Sequence, residues 1–153
     1  EEKQVNYINI YGLVFILVIM IPNIVFAIKN KDGFCNVWRN RVAETFEKIG
    51  RFGCLGLMVL VIPGCGFGFS SDKAFAAYII LDILLSAAYC LLWIVLFRKN
   101  NVFRALALSV IPSLLFLVSG VLSHYWPLCI AAAVFAPSHI AVSYKNAVLE
   151  TQR

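Results

Sequence analysis

Five apolar stretches, each near the length a helix needs to cross a bilayer, constrain this chain more than any other feature. They run from Tyr7 to Ile28, Phe52 to Phe69, Ala74 to Phe97, Phe103 to Leu122 and Trp126 to Tyr144. A span takes about 20 predominantly apolar residues, and only the second stretch is short. A water-soluble alternative fails on composition. With 61% hydrophobic and 14% charged residues in a chain of 153, too little polar surface remains to cover a globule in water. The expected fold class is all-α: a polytopic transmembrane helical bundle of five spans, forming a single membrane domain over 1–153. The first stretch is too long for a signal-peptide core and lacks a basic leader, so it reads as a retained span.

Basic residues set the expected orientation. Lys29, Lys31, Arg39, Arg41, Lys48 and Arg51 follow the first span, Arg98, Lys99 and Arg104 follow the third, and Lys145 and Arg153 lie in the tail. Only Lys3 and Lys73 fall on the other side. Lys and Arg accumulate in cytoplasmic loops, so the N-terminus is expected outside and the C-terminus in the cytoplasm of a multi-pass cell-membrane protein. The same clustering makes the net charge of +5 a topology signal, and nucleic acid is not an expected partner.

The loop from Asn30 to Arg51 has helical periodicity. Phe34, Trp38, Val42, Thr45, Phe46 and Ile49 recur every three or four residues, opposite Arg39, Asn40, Ala43, Glu44, Glu47, Lys48 and Arg51. This pattern predicts an amphipathic helix on the cytoplasmic surface, with Trp38 and Phe46 at headgroup level and the basic side chains towards anionic lipid.

Asp82 is the outstanding candidate for function. It lies ten residues after Asp72 and sixteen before Arg98, deep in the third span, where a carboxylate costs about 2.5 to 3.5 kcal/mol on insertion scales. Tyr78, Asp82, Ser86, Tyr89 and Trp93 share one helical face at spacings of three and four. An acid among hydroxyls and aromatic rings suits a proton or a small cationic, amine-bearing ligand. It also suits a polar seam between helices. Asn23 and His139 each sit six residues before a lysine and just after a proline (Pro22, Pro137). They are expected at matching depth, in the floor of a cavity with Ser138, Ser143 and Tyr144.

The prolines Pro22, Pro63, Pro112 and Pro137 are expected to bend or break helices around that cavity. The alternating glycines of Pro63-Gly64-Cys65-Gly66-Phe67-Gly68-Phe69 read as a loosened helix end. Cys35, Cys54, Cys65, Cys90 and Cys129 form no C-x-x-C and no His-paired spacing, so neither a metal site nor a redox cofactor is expected. With no paired carboxylates, H-E-x-x-H or nucleophile elbow, no catalytic residue is assigned and an intramembrane enzyme ranks last. The leading expectation is a small transporter or ligand-binding membrane protein centred on Asp82, acting as a homodimer or with a partner subunit. The alternative is a non-catalytic accessory subunit packed against another membrane protein.

Orientation is testable directly. In a variant lacking the native cysteines, Ser71→Cys should react with a membrane-impermeant thiol reagent in intact cells and Asn40→Cys should not. The reverse labelling would invert the topology.

Overall fold

A computed structural model of the chain describes residues 7–30 and 36–152. Lys3, Lys31, Phe34, Cys35 and Arg153 lie outside the described residues. The helices are α1 (Ile10–Lys29), α2 (Arg41–Val59), α3 (Asp72–Leu96), α4 (Val102–Leu122) and α5 (Trp126–Thr151). Side-chain caps explain four of the starts: Asn9, Asn40, Ser71 and Asn101 each accept a hydrogen bond from a first-turn amide. Pro127 occupies the first turn of α5, where its missing N–H costs nothing. Helices α1, α3, α4 and α5 are long and apolar enough to cross a membrane, and they mark the chain as a multi-pass membrane protein. Large apolar side chains such as Val14, Leu17, Ile21, Ile83, Leu91 and Ile130 lie on the outer surface, as suits helices whose solvent is hydrocarbon.

The helices form a closed ring in the order α1–α2–α5–α4–α3, each packed chiefly on the two beside it. Residue pairs give their directions. Gly50 meets Phe135, Gly53 meets Ala131 and the Tyr125 hydroxyl meets Leu60, so α2 runs antiparallel along α5. Asn9 pairs with Tyr78 and Asn23 with Tyr89, which makes α1 and α3 parallel. Asp82 with Ser119 and Gly120 beside Cys129 set α4 antiparallel to both neighbours. The seam of α2 on α5 is close-packed. A Cβ at Gly50 would lie 2.6 Å from the Phe135 Cα, so only a hydrogen permits that approach.

Three expectations need correction. The surface helix within Asn30–Arg51 and the span at Phe52–Phe69 are replaced by one helix, α2, with extended or turn structure from Leu60 to Ser71. Pro63 explains the early stop, since it lacks a donor and disfavours helical geometry at Ile62, while Gly64 and Gly66 adopt φ of 81° and 86°. The amphipathic periodicity is present within α2. Val42, Phe46, Ile49 and Phe52 point outward, and Glu47 is buried against α5. Trp38 lies before the helix, its amide held by Asn146. The third correction concerns Pro22, Pro112 and Pro137, all of which lie inside continuous helices. Pro22 frees the Val18 carbonyl, which accepts instead from the Cys90 thiol at 3.8 Å.

Gly50→Ala should therefore lower thermal stability in detergent, by about 1 to 3 kcal/mol for overpacking. Gly56→Ala, whose Cβ would meet nothing within 4 Å, should be neutral or gain up to about 1 kcal/mol from helix propensity. Equal behaviour of the two variants would mean that Gly50 does not seat α2 on α5.

Candidate functional site

The polar stripe expected on the third span lies on one buried face. Tyr78, Asp82, Ser86, Tyr89 and Trp93 all point into the ring, because these are the residues of α3 least suited to lipid. Asp82 is 0% exposed. Its Oδ2 accepts from the Ser119 hydroxyl of α4 at 2.6 Å, while its Oδ1 and the Ser86 hydroxyl are buried without a hydrogen-bond partner. The ion pairs found among the described residues both involve Glu47, so no cation pairs with Asp82 there.

The rest of the stripe closes the ring at either end. Tyr78 accepts from the Asn9 side chain at 3.0 Å, and Asn9 also donates to the Met58 carbonyl at 3.2 Å. This ties the start of α1 to α2 and α3. Phe15 and Phe69 pack on the Tyr78 ring with centroids 6.0 and 5.1 Å away. Tyr89 donates to Asn23 Oδ1 at 3.0 Å. Trp93 packs on Phe26 at 4.8 Å, and the Arg104 guanidinium lies 4.5 Å from the Phe26 ring and 5.2 Å from that of Trp93. Arg104 also donates to the Lys99 carbonyl at 2.7 Å. Stacking on rings and a carbonyl partner offset the cost of burying this charge.

A second polar cluster joins α2 to α5. Glu47 is 6% exposed. Its Oε1 lies 3.0 Å from His139 Nδ1 and 2.8 Å from Arg51 Nε, with Arg51 Nη2 also in contact. His139 stacks on Phe135 with centroids 4.5 Å apart and planes at 17°. Because Glu47 also accepts from Arg51, it acts as a carboxylate acceptor and Nδ1 carries the shared proton. Counting residues from the Asn9–Val59 contact at equal rise per residue puts Glu47 and His139 within one turn of the level of Asn23 and Tyr89.

Asn23 and His139 face different partners, Tyr89 and Glu47. Ser138 bonds back to the Val134 and Phe135 carbonyls of its own helix. A cavity of about 340 Å³ is lined by Gly66, Gly68, Phe69, Ser70 and His124, none of which belongs to either cluster. Glu47 and Arg51 were legible only as surface charges, although their i, i+4 spacing is that of a helix ion pair. Ser119 and Asn9 carried no signal beyond being polar among apolar neighbours. No known family, curated protein or solved structure matches this chain, so the site is argued from its geometry.

Ser119→Ala should remove the one donor to Asp82 and cost about 1 to 3 kcal/mol, as for a stranded buried group. Ser109→Ala, whose hydroxyl returns to Leu106 in its own helix, should cost about 1 kcal/mol or less. Unfolding in detergent micelles measures both, and equal losses would remove Ser119 from the site.

Proposed function

We propose that this chain is a small membrane protein of transporter or ligand-binding type, and that the species it binds is a proton, held by Asp82. One observation carries the reading: a fully enclosed carboxylate with, among the described residues, a single hydroxyl donor, an unpartnered second oxygen and no paired cation. Burying such a group as an anion is costly, and a proton removes the cost without needing space. Of the ligands the sequence admits, the proton fits this enclosure better than an amine-bearing molecule. On this reading α2 is the fifth crossing, since it extends beside α5 from the level of Asn146 to that of Tyr125. The Lys29 end, with Arg98 and Lys99, faces the cytoplasm. On the same reading, the chain acts as a homodimer or with a partner membrane subunit.

The hydrogen bond between Asp82 and Ser119 also favours a second reading, an accessory subunit in which this pair is a structural seam between α3 and α4. Substitution separates the two. In lipid, acidification should raise the infrared carbonyl band of a protonated carboxyl, and Asp82→Asn should abolish it while the fold survives. Asp82→Leu should likewise stay folded and lose proton binding. An unchanged band in Asp82→Asn, with Asp82→Leu destabilised by about 1 to 3 kcal/mol through its stranded partner, would leave the seam.

A further inference from the structure

Lysines and arginines at the ends of spans ordinarily reach out to water and headgroups, and Lys29, Arg98 and Lys99 are exposed in that way. Arg104 is different. It stands in the first turn of α4 and is only 9% exposed. Its guanidinium lies against Phe26 of α1 and Trp93 of α3, and its Nη1 donates to the Lys99 carbonyl at the end of α3. Phe97 packs on both of those rings, at 5.4 and 6.4 Å, and the Lys29 ammonium lies 5.9 Å from its centroid. The ends of α1 and α3 and the start of α4 thus converge on one aromatic platform that carries two cations, one nearly buried and one exposed.

Arg104 has donors to spare. A guanidinium offers five N–H groups, and the Nε and Nη2 of Arg104 have no hydrogen-bond partner among the described residues, yet they are not sealed inside the bundle. Neither ion pair among those residues involves Arg104. Glu150 of α5 acts on it only through space, and accepts from Asn100 at 3.0 Å.

We propose that Arg104, with Lys29 and Lys99 around it, binds the phosphate of an anionic phospholipid where α1, α3 and α4 meet the membrane interface. The site is independent of what Asp82 binds and requires only that these helices cross the bilayer. A phosphodiester presents two anionic oxygens, which match the planar fork of a guanidinium with two parallel hydrogen bonds. Lys29 and Lys99 add charge without fixed geometry. A lipid fits better than a free phosphate because apolar surface runs up to the cations. Val25 and Ile28 precede Lys29, and Ile94 and Val95 precede Lys99, all four exposed, so acyl chains lie along the helices while the headgroup sits at their basic end.

The test follows thermal unfolding of the full chain in a neutral detergent. Dioleoylphosphatidylglycerol should raise the unfolding temperature saturably, as a ligand of the native state does, and the rise should shrink as salt is added. Dioleoylphosphatidylcholine, with the same chains but no net charge, should not raise it, nor should glycerol 3-phosphate, which has no chains. Arg104→Gln should increase the half-saturating amount of phosphatidylglycerol by at least about tenfold, the scale of a lost charge-assisted hydrogen bond. Arg41→Gln, which removes an exposed charge from the start of α2, should leave it unchanged. An equal rise with phosphatidylcholine, or a rise with glycerol 3-phosphate, overturns the anionic lipid as the ligand. A response in Arg104→Gln equal to that of the natural chain overturns the site. Should Arg104→Gln fail to fold, Lys29→Gln combined with Lys99→Gln decides in its place by the same tenfold criterion.

Discussion

The seam between α2 and α5 is the contact from which the rest of the bundle takes its position. Gly50 allows the two backbones to approach until Glu47 reaches His139, and the same register carries α2 down to Tyr125. There one hydroxyl both accepts from the Ile62 amide at 2.9 Å and donates to the Leu60 carbonyl at 3.0 Å. These two hydrogen bonds fix the strand-like exit of α2, which pairs with Ile8 and brings the Val59 carbonyl to the Asn9 amide at 2.8 Å. Asn9 then caps α1 and holds Tyr78, which orients the stripe on α3. A change at Gly50 is therefore transmitted to the far end of the ring through hydrogen bonds whose partners have no water to fall back on.

Most of the fold was legible because its strongest signals are local. Four of the five apolar runs became helices close to their expected limits, and the stripe from Tyr78 to Trp93 needed only helical geometry to be drawn. Where expectation and structure differ, the periodicity holds and the helix limits do not. The arc containing Val42, Phe46 and Ile49 was expected to skim the membrane surface, whereas it forms the outer face of a bundle helix. Periodicity tells which residues share a face, but not whether water, lipid or protein lies against it. The end of α2 was missed for a related reason. Apolarity continues to Phe69, but Pro63 and the glycines around it stop the helix, so the local rule outweighs hydropathy.

The candidate site divides along the same line. Asp82 announces itself because a carboxylate in an apolar run is costly wherever it lies. Its partner Ser119 does not, since a serine is cheap in a membrane helix and its value depends on which helix it faces. Glu47 and Arg51 were visible as charges but assigned outward, because nothing local connects them to His139. Arg104 was counted as a topology signal, and its guanidinium instead stacks on Phe26 and Trp93. In each case the missing information is the order of helices around the ring, which depends on contacts far apart in sequence.

That order has a consequence for biosynthesis. Glu47 and His139 are 92 positions apart, with two complete spans, α3 and α4, emerging between them. At about 5 to 20 residues per second, roughly 5 to 18 seconds separate the synthesis of the two partners. During that interval α2 has α1 beside it but lacks its partner on α5, and the Arg51–Glu47 pair within its own turn keeps its charges matched. Of the described helices, α5 is made last, and it closes the ring.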